Sequence, residues 1–177
     1  MIRRNIRDRI QQYFFLNPTT KLRVRQIERV VKVPLPSAIR YTKELEREGI
    51  TKRSEIANVT TYSADRNSTR FLLEKKLFNI QQLFLSGLVD FLIEELSNPA
   101  IVVFGSYSRG EDIETSDIDI YIETPSKKKL NLEKFERALQ RKIQVFIHKN
   151  IRDVENKELA NAILNGVMLH GFIEVFE

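Results

Sequence analysis

A chain of 177 residues with 42% apolar residues is long enough for one ordinary domain or two small ones with a real core. The absence of cysteine excludes disulfides and thiolate metal sites and suits a reducing interior. The net charge of +5 conceals a division: residues 1 to 70 hold 16 Lys+Arg against 7 Asp+Glu, net +9, and the remainder 13 against 17, net −4. A basic module joined to a mildly acidic one points to nucleic acid for the first and a separate task for the second.

The opening "MIRRNIRDRI" includes Asp8 and lacks the apolar core and small-residue cleavage site of a signal peptide. Residues 71 to 97, the most apolar long stretch, carry Glu74, Lys75, Lys76, Asp90, Glu94 and Glu95 and are too charged to cross a bilayer. The expectation is a soluble cytoplasmic protein with no membrane partner.

Ile6, Ile10, Tyr13 and Phe14 recur at helical spacing until "NP" at 17 and 18, which predicts a first helix over 5 to 16. Val24, Ile27, Val30 and Val31 predict a second, ended by "VPLP". "PSAIRYTKELEREGI" predicts a third, opened by proline, with Ala38, Thr42 and Leu45 inward and Gly49 closing it. Two β-rich runs around Ala57 and Asn58 then predict a hairpin. Three helices and a hairpin over residues 3 to 66 resemble the winged helix-turn-helix DNA-binding family. The resemblance implies that Ser37, Arg40, Tyr41 and Lys43 meet DNA from the third helix, and that Lys52 and Arg53 lie in the wing near phosphates. A basic surface that is merely solvated, or a module that pairs with protein, is the plainer alternative.

From residue 67 to 98, Leu73, Leu77, Ile80, Phe84, Leu88 and Phe91 predict one long helix, or two broken near Gly87. Such a stripe needs a partner, either the second domain or the same helix of another subunit, which leaves a homodimer open.

"AIVVF" at 100 to 104 is a continuous apolar run, expected of a strand covered on both faces. Gly105 and Ser106 turn the chain into a short helix, where a glycine lets a ligand approach and free amides beside a hydroxyl suit phosphate. Arg109 is near enough to add charge. In "SDIDIYIE", Ile118, Ile120 and Ile122 face the core, while Asp117, Asp119, Tyr121 and Glu123 face the other way. Two adjacent carboxylates are costly unless a divalent cation lies between them.

Gly-Ser, ten residues, then Asp-x-Asp resembles the signature of the DNA polymerase β-like nucleotidyltransferase superfamily, in particular the minimal nucleotidyltransferases of archaea and bacteria. The resemblance covers about residues 70 to 177. It implies that Gly105 and Ser106 hold a nucleoside triphosphate, with ATP favoured, and that Asp117 and Asp119 hold Mg2+. It further implies AMP transfer to a hydroxyl acceptor with Arg109 steadying the departing charge. Family members usually supply a third carboxylate from a later strand; in "KIQVFIHK" at 142 to 149 that place falls to Gln144, which cannot act as a base. Glu123 and His148 read as ordinary strand-end residues, with a stand-in for the third acid as the sharper alternative, and "KKK" at 127 to 129 as a solvated loop, with a role against phosphate as its sharper alternative. His170 shows no partner.

The expected fold is α+β: a winged helix-turn-helix over 1–66, a helical connector over 67–98, and a small α/β nucleotidyltransferase-like domain with a mixed sheet over 99–177. The leading function is an Mg-dependent nucleotidyltransferase carrying a DNA-binding winged helix. Its acceptor is open among a partner toxin, as for antitoxins that adenylylate one, another protein side chain, RNA and small molecules. The alternative is a noncatalytic winged-helix transcriptional regulator whose nucleotidyltransferase domain is degenerate.

Overall fold

The structure, a computed structural model, describes residues 5–56 and 58–176, apart from the side chain of Ile56. The chain forms two compact units, Met1–Lys75 and Lys76–Glu177.

The first unit contains α1 (Ile6–Leu16), α2 (Val24–Val31), α3 (Leu35–Arg47), β1 (Thr51–Ile56), β2 (Val59–Ala64) and the start of α4 (Thr69–Leu85). Asn5 caps α1 through a side-chain bond from the Arg7 amide, and α2 ends at Lys32 in the left-handed region. Pro34 and Pro36 flank the start of α3, where a missing amide proton costs nothing. Ile10, Phe14, Ile27, Ala38 and Leu45 are buried, and Phe71 packs edge-on against Phe15. The inward stripe Ala38, Thr42 and Leu45 is buried as the periodicity predicts. β1 and β2 pair antiparallel, and Leu22 adds a bridge to Tyr62. Asn58 has φ +60° in the hairpin turn, whereas Ala57 lies outside the described residues.

The second unit comprises the rest of α4, α5 (Leu88–Leu96), β3 (Ala100–Phe104), α6 (Gly105–Arg109), β4 (Ile118–Glu123), α7 (Glu133–Leu139), β5 (Ile143–His148), a 3-10 turn (Ile151–Asp153), α8 (Lys157–Leu164) and β6 (Val167–His170). The sheet order is β5-β4-β3-β6: β4 and β5 run parallel, and β3 is antiparallel to both β4 and β6. On one face Ile118, Ile120 and Ile122 join Leu83, Leu88, Leu92, Phe135 and Leu139 in the larger core. On the other, Val102, Phe104, Tyr121, Ile151, Val154 and Ile163 form a second cluster. β3 is buried along its whole length, as a strand covered on both sides requires.

One expectation is corrected. Tyr121 does not face solvent with the aspartates: it is fully buried in the second cluster, because the 3-10 turn and α8 cover that half of the face. The break near Gly87 is present, with a 52° bend between α4 and α5 and Gly87 at φ +76°. The stripe read across it divides: Ile80, Leu88 and Phe91 pack into the larger core. Leu73, Leu77 and Phe84 are exposed, and α4 instead buries Phe71, Asn79 and Leu83. An apolar period does not reveal its direction when a polar residue such as Asn79 has a buried hydrogen-bonding task. No single helix among the described residues is long and apolar enough to cross a membrane; the bent α4–α5 pair passes that test by length and composition only, and α5 buries Leu88, Val89, Leu92 and Leu96 in the core.

Candidate active site

Strand β3 leads directly into α6 through Gly105, whose φ is +72°. A β-carbon built there would lie 2.3 Å from Oδ2 of Asp119 and 3.3 Å from its Cγ. Glycine is therefore required twice, by the backbone conformation and by the carboxylate seated against its α-carbon. No side chain caps α6, and the first-turn amides of a helix have no acceptor within it. Ser108 closes the helix from inside by donating its hydroxyl to the Gly105 carbonyl at 2.9 Å.

Asp117 is exposed just before β4, and Asp119 is half-buried on it. Burial first, and the charge of Asp117 second, raise the Asp119 carboxyl above its ordinary range. Asp119 lies opposite Phe104 on β3 and opposite Gln144 on β5, so Gln144 occupies the place beside the carboxylates. It is exposed. Arg109 ends α6 and projects outward, paired with Glu111 at 2.7 Å, so it reaches a ligand only by leaving that carboxylate. The two aspartates supply hard oxygen donors suited to Mg2+, and the Asp119 carboxylate fills the space where a Gly105 β-carbon would sit. Among the described residues no group of three or more His, Cys, Asp and Glu side chains could hold a metal, so a cation here takes its remaining ligands from phosphate oxygens or water.

The loop that carries Asp117 is anchored by residues the sequence did not single out. Asp112 accepts from Asn79 Nδ2 at 2.7 Å, and Asn79 also donates to the Tyr107 carbonyl at 2.9 Å. Arg141 approaches Asp112 at 3.7 Å, with the two side chains 6% and 1% exposed. Burial raises the Tyr107 hydroxyl pKa, with the Asp112 charge adding to it. Nothing in the local pattern marks a buried ion pair 29 residues apart in the chain; only the burial of "D" within an acidic loop distinguishes it. At the start of β5, Glu136 accepts from Lys142 Nζ at 2.8 Å and from the Ile143 amide at 3.1 Å, and these bonds hold its carboxyl below the usual range. Between these anchors and Asp117 lies a cleft of about 370 Å³, whose walls include Ser116, Arg137, Arg141 and Lys142.

Glu123 accepts from the Tyr121 hydroxyl at 3.2 Å and from the Ile151 amide at 2.7 Å, an ordinary strand-end duty. His148 stacks on Tyr121 with ring centroids 5.9 Å apart. His170, for which the sequence offered no partner, has Nδ1 2.8 Å from the Pro99 carbonyl.

In the first unit, Arg40 and Lys43 are exposed on α3, with Ser37 and Tyr41 half-buried; the Arg40 guanidinium lies 5.2 Å from the Tyr41 ring centroid. Lys52 and Arg53 are exposed on β1, where Arg53 makes long contacts with Glu55 and Thr60. The acidic end of α3 is bound internally: Arg7 bonds both Glu44, at 3.0 Å, and Glu48.

Residues 85–165 match the family model of the nucleotidyltransferase domain, somewhat less than half of the chain. The match takes in Gly105, Ser106, Asp117, Asp119 and Gln144. No curated protein and no solved structure matches the chain.

Proposed function

We propose that the second unit transfers a nucleoside monophosphate from a triphosphate, with ATP as the favoured donor, to a hydroxyl acceptor. The observation that carries this reading is the seating of the Asp119 carboxylate against Gly105, which supports joining the turn after β3 to the first carboxylate of β4. In this reading the first-turn amides and hydroxyl of α6 bind the terminal phosphates, and Asp117 and Asp119 hold Mg2+. The bound cation supplies polarisation of the phosphate under attack and neutralises the oxygens of the leaving pyrophosphate. Arg109, once released from Glu111, adds charge on the leaving side. The Asp112–Arg141–Asn79 anchors keep the Asp117 loop in register with β5, which is the kind of positioning that phosphoryl transfer rewards most.

Incubation with ATP labelled in the α-phosphate, Mg2+ and candidate acceptors tests the reading. Label transferred to protein or RNA by the native chain and absent with Asp117→Asn/Asp119→Asn supports it. A label that transfers equally with both proteins contradicts it.

A specific observation favours a second reading. Gln144 stands opposite Asp119 in the register, and an amide there withdraws the third carboxylate and any base it would provide. On that reading the domain senses a nucleotide without chemistry, and the first unit acts as a DNA-binding winged helix. Three helices followed by a hairpin and the net +9 of residues 1 to 70 support that assignment. A partner toxin as acceptor would unite the two readings.

A further inference from the structure

The parallel pair β4 and β5, joined through α7, has two ends. The aspartates occupy the amino end of β4; the carboxyl end opens into a separate cavity of about 300 Å³, whose walls include Thr124, Ser126, Lys127, Lys128, His148 and Lys149. From Asp119 to Thr124 the strand covers about 16 Å, so a small ligand does not bridge the two places. In open sheets, the crevice beyond the carboxyl ends of parallel strands is a recurrent ligand position.

We propose that this cavity binds a small phosphate-bearing molecule. No carboxylate lines it among the described residues. Lys128 is paired with Glu95 at 2.8 Å, whereas Lys127 and Lys149 have no ion-pair partner among the described residues. Two ammonium-bearing residues on one concavity give it a positive potential that an anion would neutralise. His148 lines the same cavity, and its Nδ1 has no hydrogen-bond partner among the described residues. Thr124 and Ser126 add hydroxyls, and Pro125 with Ile147 supplies a short apolar wall. The volume lies at the lower end of small-molecule pockets, which suits a diphosphate or a small phosphorylated compound. The lysine run "KKK" at 127 to 129 thereby places two of its three residues at the cavity instead of serving only as a solvated loop.

Calorimetric titration of the full chain with inorganic pyrophosphate, in EDTA so that no divalent cation serves the aspartates, tests the proposal. Saturable binding is expected, unchanged in Asp117→Asn/Asp119→Asn and weakened about tenfold or more in Lys127→Gln/Lys149→Gln. Both lysines are exposed, and an unchanged circular-dichroism spectrum and melting curve confirm that this variant folds. Absence of saturable binding overturns the proposal, as does binding that Lys127→Gln/Lys149→Gln leaves intact. If a short single-stranded oligonucleotide binds through these lysines while pyrophosphate does not, the site belongs to a nucleic-acid backbone and the small-molecule assignment fails.

Discussion

The basic N-terminal unit and the acidic C-terminal unit each set charged side chains beside a small β-structure, but they constrain them very differently. On α3 and β1, Arg40, Lys43, Lys52 and Arg53 are exposed, and no backbone feature fixes where their charges point. On β4, Asp119 is half-buried, pressed against Gly105, and its charge is disfavoured by its own surroundings. A surface that works by excess charge should lose function in small, roughly equal steps. A site that works by enforced proximity should fail at single atoms.

The largest effect is expected behind the site. Asp112→Ala leaves Arg141 buried beside a missing carboxylate and should cost about 3–5 kcal/mol, read by denaturant unfolding. Asp112→Asn retains an acceptor for Asn79 and should cost distinctly less. A near-zero effect of the alanine variant would remove the anchoring role. Next comes Gly105→Ala, which places a methyl into Asp119 Oδ2 at an unfavourable φ. It should destabilise the unit by about 1–3 kcal/mol and abolish magnesium-dependent nucleotide binding outright.

In the first unit, Arg40→Ala and Lys52→Ala should each weaken DNA binding uniformly across sequences and lower the logarithmic salt slope by about 1, measured by fluorescence anisotropy. A single variant that abolishes binding would break the contrast between the units. The smallest effect belongs to Asp119→Asn without metal. Because the folded pKa of Asp119 is raised, stability is lost as pH climbs from the ordinary aspartate range through the folded value, and the penalty persists above it. The amide removes that penalty, so the variant should melt higher than the native chain at neutral pH, by no more than about 3 °C. Added Mg2+ should raise the melting point of the native chain alone.

The same contrast explains what could be read in advance. Alternating isoleucines at 118, 120 and 122 and the turn after Phe104 expose β3, α6 and β4, because period and glycine are local signals. The resemblance pointed to Gln144 as the counterpart of a third acid, and in the parallel register it stands opposite Asp119. Tyr121 was misread because burial of the second face depends on Ile151, Val154 and Ile163, far along the chain. The α4 stripe was legible only in part: Ile80 packs into the core, whereas Asn79 faces inward for Asp112 and apolar Leu77 is left outside. Asp112 and Arg141 were passed over because a buried ion pair has no periodicity of its own. Composition marked the first unit as basic, but it could not say which cations lie on which face.

The central claim is that Gly105, Ser106, Asp117 and Asp119 form one nucleotide site. Calorimetric titration with ATP and Mg2+ measures it without knowledge of the acceptor. Saturable, magnesium-dependent binding by the native chain that disappears in Asp117→Asn/Asp119→Asn is the predicted result. A folded native chain that binds no ATP, or a double variant that binds it equally well with Mg2+, would contradict the account.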